Sequence, residues 1–555
     1  PQKNGKTINW CTVDVGDSNG TGEAQGIVCG AHNFAVGDLV VVVLPGGVLP
    51  GPAGPVEISA RKTYGHVSAG MICSARELGL GDDHAGIVVL PAAAGLPGDD
   101  AFTLLHLRDD VIEMEINPDR AYALSIRGVA REVAIGFDVD FRDPAERSVP
   151  TPNDTGYPVR VEDPDGCPVF VTRTVTGLDA SAPSPAWMAR RVQLAGMRSI
   201  SLAVDVTNYV MLELGNPIHG YDADRLAGPI VVRRAREGER LTTLDGTDRA
   251  LSVEDLLITD DSGPIGLAGV MGGATTELSA GTSTVVIEAA HFDAVSIFRT
   301  ARRHKLPTEG AKRWERGVDP LLPAYAADRV AELLVTHGGG RIEDGVTYVG
   351  APPAPVEITA PTDLTARISG MAVDSERVVA ALRRVGCVVR LDSDTLTAVP
   401  PTWRPDLTDP YDLVEEVARL VGYDHVPSVL PTAPAGRGLT KTQRLRRRIG
   451  FALAGMGLVE VKSFPFVGAG DLDALGLAPD DVLRDAITLA NPLSTEQPDL
   501  ATTLLPGLLR SAARNVGRGA VDVHLFETAA VFYPTPDRAK TPILGVDWRP
   551  DQADL

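Results

Sequence analysis

Residues 207–222, which read TNYVMLELGNPIHGYD, bring together side chains suited to recognition and acid–base chemistry. They include an amide at Asn208, carboxylates at Glu213 and Asp222, and an imidazole at His219. An imidazole can orient a water molecule or take its proton, and a carboxylate can accept hydrogen bonds. This segment is therefore a candidate site. A capped helix followed by a structurally satisfied histidine remains the alternative on these residues alone.

A helix and a turn are expected to position this segment. Residues 209–214 have a helix-like apolar pattern, and the Asn216-Pro217 pair interrupts it. Proline lacks an amide donor and disfavours helix in the residue before it. The sequence therefore predicts that His219 projects from a loop, where functional residues are common.

A second cluster consists of four acids around one predicted helix. That helix begins with Asp409 as its cap and Pro410 in the first position, and Gly422 is placed to end it. Spacings of three and four residues put three of the acids on one side of the helix. Hard cations such as Mg²⁺ prefer oxygen ligands, but an acidic first turn that complements the helix dipole is the alternative. The four acids are Asp406, Asp412, Glu415 and Glu416.

Two basic patches are candidates for contacts with nucleic acid. The first contains Arg61, Lys62 and Tyr64, whose charges and ring suit phosphates and bases. The second contains Arg302 and Arg303 within residues 299–316, where seven of eighteen residues are Lys or Arg. A solvated strand end and a solvated helix face are the respective alternatives. Arg120 and Arg127 are interpreted as surface charges.

Composition sets the outer limits. The chain has 555 residues, which predicts about three to five domains, and a net charge of −21, which argues against a general nucleic-acid coat. Its five cysteines have no metal-ligand spacing and indicate free thiols in a reducing cytoplasm. No apolar run is long enough to span a bilayer, and no signal peptide is visible.

Several sequence segments, spread over nearly the whole chain, resemble one protein family. They are GIVCGAHNFAVGDLVVVVLPGGVLPG, TNYVMLELGNPIHGYD, LPTEGAKRWERG, and WRPD followed by DLVEEVARLVGYDHVP. All of them are similar to the bacterial phenylalanyl-tRNA synthetase beta subunit. The resemblance implies a multidomain α+β fold with an N-terminal OB-fold β-barrel, small helical and winged-helix-like domains, a central α/β editing domain and a degenerate class II synthetase-like antiparallel sheet core.

The resemblance also implies a division of the chain into five domains. Residues 1–105 are expected to form the OB-fold tRNA-binding domain, and residues 106–150 a small helical scaffold. An editing domain at 151–350 precedes a winged-helix-like domain with the acidic cluster at 351–432. Residues 433–555 are expected to form the degenerate synthetase core. Because the chain opens without Met and residues 535–555 show no clear element, we expect a piece of a longer protein.

Site residues follow from the same resemblance, position by position. It implies an editing pocket that hydrolyses tRNA(Phe) mischarged with tyrosine, with Glu288 as the acid that recognises the tyrosine hydroxyl. Relatives often have Ala at position 310, so the amino-acid preference of the pocket is left open. A bound water is the expected attacking group, since Cys167 lacks a persuasive base. The implied pocket residues are Thr207, Asn208, His219, Glu288, Thr308 and Gly310.

The family further implies cofactors and partners. Asp406, Asp412, Glu415 and Glu416 match positions that supply magnesium ligands shared with an alpha subunit, in an alpha2-beta2 assembly that uses ATP to charge tRNA(Phe) with phenylalanine. A free-standing tRNA-binding or trans-editing protein without synthetase activity is the alternative function. A nucleic-acid-binding scaffold without chemistry is a third.

Overall fold

The computed structural model describes residues 7–51, 54–81, 84–105, 107–430, 432, 436 and 438–535. The chain divides into two compact units, Pro1–Ser428 and Val429–Leu555. Each unit is described by itself below.

Short antiparallel strand pairs, joined by turns, are the main elements of the described residues up to position 100. A small core of Ile27, Cys29, Ile72 and Ile87 lies between them. Each pair forms its own two-stranded ladder, so closure into an OB-fold barrel stays a prediction. The pairs are Asn9–Val13 with Gln25–Cys29, Leu39–Val40 with Val89–Leu90, Val42–Val43 with Met71–Ile72, Val48–Leu49 with Val56–Glu57, and Arg61–Thr63 with His66–Ser68.

Two sheets form the centre of the first unit. The four-stranded sheet is antiparallel and runs in the order Ile218–Asp222, Thr284–His291, Val169–Thr176, Arg341–Gly350. The five-stranded sheet runs Val159–Val161, Ile230–Arg234, Leu256–Asp260, Gly263–Leu267, Met271–Gly272, with only its first pair parallel. A separate hairpin pairs Arg240–Thr242 with Asp248–Ala250.

Alternate residues of the four-stranded sheet enter two different cores. Val285, Ile287 and Ala289 pack with the helices Leu202–Leu214 and Pro323–Gly338. Their neighbours Val286 and Ala290 join the core that includes residues of the five-stranded sheet. Because successive strand residues point to opposite faces, Glu288 lies on the side of the five-stranded sheet. The remaining helices of this region are Ala186–Leu194, Ala294–His304 and Glu309–Trp314.

The predicted helix break before Asn216-Pro217 is confirmed, but the prediction that His219 lies on a loop is wrong. Ser201 caps the helix Leu202–Leu214, which ends at Gly215 with a φ of 96°. His219 then lies on the strand Ile218–Asp222. The strand Ile218–Asp222, which follows Pro217, is hydrogen-bonded to the strand Thr284–His291. A local sequence pattern does not reveal this pairing, because the two strands are far apart in sequence.

A scaffold helix and a small three-stranded domain complete the first unit. The helix Ile126–Phe137 is capped by Ser125. Strands Ile358–Pro361, Thr395–Val399 and Val388–Asp392 form one antiparallel sheet in that order. Helices Leu364–Ser369, Ser375–Val385 and Pro410–Val421 share its core. The winged-helix-like description of this domain stays a prediction.

In its described residues, the second unit holds three α-helices and two short strand pairs. The helices are Lys441–Gly455, Ala469–Ala474 and Leu505–Gly517. Val459–Glu460 pairs with Leu525–Phe526 in parallel, and Phe466–Val467 pairs with Asp499–Leu500 antiparallel. The predicted antiparallel sheet is therefore not confirmed. Across the described ranges, the helices are too short or too polar to cross a membrane.

Candidate functional site

One cavity of about 280 Å³ gathers all six residues predicted for the pocket. Its walls come from the helix Leu202–Leu214, the strands that carry His219 and Glu288, the glycine-rich turn 266–272 and the start of the helix Glu309–Trp314. The six residues that converge are Thr207, Asn208, His219, Glu288, Thr308 and Gly310.

Glu288 supplies the cavity with a buried carboxylate. It lies on the strand Thr284–His291, is 6% exposed, and accepts a hydrogen bond at Oε2 from the Tyr221 hydroxyl. Burial raises the pKa of Glu288 to about 7, and the bond from Tyr221 opposes that rise. Oε1 accepts no hydrogen bond within the described part of the chain. The second oxygen is thus available to an incoming donor.

His219 lies directly opposite Glu288 in the strand register. Its Nε2 is buried and has no hydrogen-bond partner among the described residues. Burial lowers the pKa of His219 to about 4, so the imidazole is neutral at pH 7. A neutral ring with an unpaired nitrogen can bond a water or a substrate group.

The approach of His219 explains why the glycine-rich turn has glycine at position 272. A Cβ at this position would lie 2.4 Å from Cε1 of His219, closer than a carbon–carbon contact allows. Gly310 differs, because its nearest atom to a new Cβ would be the Gly269 carbonyl oxygen at 3.5 Å. The imidazole therefore requires glycine at position 272, whereas position 310 has room for a methyl group.

The two threonines of the cavity are held by the backbone. Thr207 Oγ1 donates to the Val204 carbonyl at 2.9 Å. Thr308 Oγ1 donates to the Val270 carbonyl at 2.9 Å and accepts from the Ala311 amide as a helix cap. Each hydroxyl retains acceptor capacity toward the cavity. The Asn208 amide is half-buried and makes no side-chain hydrogen bond with any described residue.

The described lining of the cavity contains no cysteine or serine. Cys167 is 1% exposed, and burial raises the pKa of its thiol well above the ordinary value. Ser184 donates to Asp205 at 2.5 Å, and Ser181 donates to Asp179 at 2.6 Å. The expected attack by a bound water is consistent with these positions.

Sequence reasoning missed Tyr221 and Gly272 as parts of the cavity. Tyr221 lies two residues after His219, and residues two apart share a face of a strand. A predicted strand in place of the predicted loop would therefore have found it. No local signal marks Gly272, because its contact is with a ring 53 residues earlier.

The four acids of the second cluster do not converge on one point. Glu416 is 1% exposed and is bonded by Arg404 at 2.7 Å, by Arg419 at 2.9 Å and by Arg120. Asp406 accepts two bonds from Arg404, and Glu415 accepts from Arg120 and Tyr423. Asp412 Oδ2 instead accepts the Thr408 and Asp409 amides as part of a capping box.

These contacts do not fit a metal ion in this chain. Burial raises the pKa of Glu416, but the bonds from Arg404 and Arg419 outweigh it and hold the pKa at about 2. Within the described ranges, no three His, Cys, Asp or Glu side chains are arranged to hold a metal. The carboxylates are neutralised by guanidinium groups, and magnesium binding stays a prediction.

The interpretation of Arg120 and Arg127 as surface charges is wrong. Arg127 is 8% exposed and bonds Asp143 at 2.7 Å and Asp319 at 3.1 Å. Arg120 bonds Glu415 and Glu416. Partners up to 296 residues away determine these contacts, so the local sequence does not indicate them.

The two predicted RNA patches lie on exposed elements. Arg61 and Lys62 belong to the hairpin strand Arg61–Thr63, and Tyr64 at its tip is 61% exposed with a φ of 52°. Arg302 is exposed on the helix Ala294–His304, with its guanidinium 4.7 Å from the Phe298 ring centroid.

Arg303 differs from Arg302 in its surroundings. It is paired with Glu254 and with the buried Asp255, so part of its charge is already neutralised within the chain.

Four family models match successive parts of the chain. A tRNA binding domain matches residues 1–99, and the B3/4 domain matches residues 166–339, which include the cavity. The tRNA synthetase B5 domain matches residues 358–423, and the phenylalanyl tRNA synthetase beta chain CLM domain matches residues 426–546. The chain is therefore a mixed α/β multidomain protein with a tRNA-binding domain at its N-terminal end.

Curated relatives match over nearly all of the chain. The phenylalanine–tRNA ligase beta subunit of Streptomyces avermitilis is 58% identical over 99% of this chain and 66% of that protein. The same subunit of Thermobifida fusca is 56% identical over 98% of this chain and 65% of that protein. The chain thus spans just under two thirds of the length of these relatives.

A solved structure matches more weakly. The N-terminal fragment of the phenylalanyl-tRNA synthetase beta-subunit from Pyrococcus horikoshii is 17% identical, with a TM-score of 0.28 over 57% of this chain and 90% of that chain. This likeness is too weak to support a statement about the fold.

The assignment therefore depends on the curated relatives. The beta subunit of Corynebacterium jeikeium is 46% identical over 99% of this chain and 67% of that protein. With that coverage and four family models in order along the sequence, the chain belongs to the phenylalanine–tRNA ligase beta subunit family.

Proposed function

We propose that this chain works as the beta subunit of a phenylalanine–tRNA ligase. In this role it supports an alpha subunit that attaches phenylalanine to tRNA(Phe) with ATP, within an alpha2-beta2 assembly. The names of the curated relatives support this proposal. Five free cysteines are compatible with a cytoplasmic location. A free-standing trans-editing protein would not bind an alpha subunit, so co-purification of the two chains distinguishes the alternatives.

We further propose that the cavity hydrolyses tRNA(Phe) mischarged with tyrosine. The observation that carries this proposal is a buried carboxylate with one unbonded oxygen opposite an imidazole with an unpaired nitrogen. A tyrosyl hydroxyl donates to Glu288 Oε1. A phenylalanyl ring leaves that oxygen desolvated and unpaired, and a site built to bond a hydroxyl rejects the analogue that lacks it.

A water molecule carries out the cleavage. Its oxygen attacks the ester carbonyl carbon, the bond to the ribose oxygen breaks, and the ribose oxygen takes up a proton. His219 Nε2 is the group suited to orient this water, because it is neutral and has no partner within the described chain. The products are free tyrosine and uncharged tRNA.

Substitution of Glu288 tests this function. In the holoenzyme formed with the alpha partner, Glu288→Ala is expected to lower the hydrolysis of Tyr-tRNA(Phe) by about 100-fold, because a charge-assisted hydrogen bond is lost. Charging with phenylalanine is the control and should be retained. A wild-type enzyme that charges phenylalanine but leaves Tyr-tRNA(Phe) intact would refute the editing proposal, and Gly310 would then be the first position to examine.

We also propose that the two basic patches contact the tRNA backbone. Arg61, Lys62, Tyr64 and Arg302 are exposed, and Arg303 lies next to Arg302 on the same helix. Replacement of a phosphate-contacting Arg or Lys reduces the salt dependence of binding by about one unit in log–log slope. Titration of tRNA(Phe) at several salt concentrations measures this slope. An unchanged slope for an Arg61→Gln or Arg302→Gln variant would remove that residue from the interface.

A further inference from the structure

Tyr221 places its own phenol hydroxyl in the cavity that is proposed to bind a tyrosyl group. It is 1% exposed and belongs to the apolar core between the two sheets, yet its hydroxyl donates to Glu288 Oε2. A buried tyrosine hydroxyl usually requires a hydrogen-bond partner. In the strand register Tyr221 faces Val286, so it reaches Glu288 along the diagonal, a distance that an aromatic side chain can span.

Tyr221 is the one side chain of the described residues that bonds Glu288. The residues directly opposite Glu288 on its two neighbouring strands are His219 and Thr172. Neither of them bonds the carboxylate, and both His219 Nε2 and Thr172 Oγ1 are buried without a partner among the residues that the structure describes. The orientation of the carboxylate therefore depends on the Tyr221 hydroxyl.

We propose that Tyr221 is a positioning residue that holds Glu288 Oε2 and thereby presents Oε1 to the hydroxyl of a tyrosyl substrate. This inference rests on the proposed hydrolysis of Tyr-tRNA(Phe). A carboxylate has two oxygens and about four lone-pair sites, so the protein phenol and the substrate phenol are accepted together. Tyr221 fills one half of the acceptor and leaves the other half for the substrate.

The same bond favours the ionised form of Glu288. Burial raises the pKa of Glu288 and the Tyr221 bond lowers it, so removal of the hydroxyl moves the pKa further up. Among the described residues, the other titratable groups that line the cavity or act on the pair are His219, Glu309, Cys167 and Asp260. Glu309 accepts a bond from Arg313 at 2.8 Å. His219 is neutral near pH 7, and burial keeps Cys167 protonated; Asp260 acts on Tyr221 by charge. A protonated Glu288 is easier to desolvate and excludes phenylalanine less strongly.

The first test measures the carboxyl group directly. In the holoenzyme, infrared difference spectra between wild type and Glu288→Gln isolate the protonated carboxyl band of Glu288 over pH 5 to 9. The midpoint of this band is expected at higher pH in Tyr221→Phe than in wild type. An unchanged midpoint would overturn the proposal. The variant removes one oxygen atom and retains the ring, and circular dichroism checks that it folds.

The second test measures selectivity. Tyr221→Phe is expected to hydrolyse Tyr-tRNA(Phe) about tenfold more slowly at pH 7, to recover as the pH rises towards 8.5, and to discriminate less against Phe-tRNA(Phe). Tyr122→Phe is the matched control, because it also loses a bond from a tyrosine to a glutamate, Glu132, but outside the cavity. Equal selectivity and equal pH profiles in Tyr221→Phe and wild type would also overturn the proposal.

The two tests separate this inference from the proposed function. A wild-type enzyme without hydrolysis, combined with a shifted carboxyl midpoint in Tyr221→Phe, would refute the editing function and retain Tyr221 as the group that holds Glu288. Normal hydrolysis with an unshifted midpoint would retain the editing function and refute the role of Tyr221.

Discussion

At the residue scale, Glu288 places a titratable acid where its charged form is costly. Its carboxylate is 6% exposed among apolar neighbours, and burial is the main reason that its pKa is raised to about 7. In the unfolded chain the same group titrates near its ordinary value of 4.5. Between these two values the folded state binds more protons than the unfolded state. The contribution of Glu288 to stability therefore falls as the pH rises through this window.

A neutral replacement is expected to reverse this effect. Glu288→Gln should raise the free energy of unfolding by about 3 kcal/mol at pH 8, because no charge is buried. The difference should disappear below pH 4.5, where the wild-type carboxyl is protonated in both the folded and the unfolded protein. Thermal unfolding of both proteins across this range measures the effect. A constant difference at all pH values would show that ionisation of Glu288 is not its cause.

At the element scale, the glycine-rich turn is fitted to the histidine opposite it. Gly272→Ala forces the imidazole of His219 to move, since the added carbon would lie 2.4 Å from the ring. A displacement of about 1 Å at a reacting group can lower a rate by about 100-fold. We expect a loss of this order in the hydrolysis of Tyr-tRNA(Phe), with charging by phenylalanine retained.

Gly310→Ala provides the comparison. Its new methyl group meets atoms at 3.5 Å or more, so the variant should fold and lose much less activity than Gly272→Ala. Equal losses in the two variants would contradict the steric explanation.

The helix ends of this protein could be predicted from the sequence, whereas the strand that carries His219 could not. Local signals work: Asp409 caps the helix Pro410–Val421, Pro410 begins it, and Gly422 ends it. The strand that carries His219 and Tyr221 was not predicted, because it forms by pairing with residues about 70 positions later. Asn208 and His219 were candidates from their residue types, whereas the full set of six cavity residues came from family resemblance, which contains such distant pairings.

At the scale of the whole molecule, arginines join distant parts of the first unit. Arg404, Arg419 and Arg120 surround Glu416 on the helix Pro410–Val421. Because Arg120 belongs to the predicted scaffold, residues 106–150, its bond connects that helix to the scaffold. Arg419 also bonds Glu132 on the scaffold helix at 2.8 Å. These contacts use the same carboxylates that the sequence suggested as magnesium ligands, and the sequence could not reveal this competition.

Removal of Arg404 is expected to destabilise the first unit. Arg404→Ala leaves Glu416 buried with part of its compensation lost, which costs about 3 to 5 kcal/mol at pH 7. In wild type, the stability that Glu416 contributes is present above its ordinary pKa of 4.5 and is lost as the pH falls towards 2. The penalty in the variant should therefore shrink in acid. Denaturant titrations of both proteins measure it.

Magnesium provides the complementary measurement. Stabilisation of wild type by MgCl₂ only in the presence of the alpha partner would support a metal site shared between subunits. If MgCl₂ stabilises the protein in neither case and Arg404→Ala greatly lowers the free energy of unfolding, the acidic cluster is a structural contact neutralised by arginines.

The alternation of the strand Thr284–His291 between two cores also constrains how the chain can fold. A slip of one residue against its neighbours would turn Glu288 towards the helix-side core, among Val206, Val210 and Leu334. The tyrosines packed against this core, Tyr209 and Tyr348, are only partly buried, and the Tyr209 hydroxyl is already bonded with Arg191 and Glu213. An unpaired buried polar group costs several kcal/mol. The misaligned sheet is thus disfavoured by the residue proposed to recognise the substrate. One glutamate therefore favours the alignment of the strands and carries the proposed selectivity of the pocket that they form.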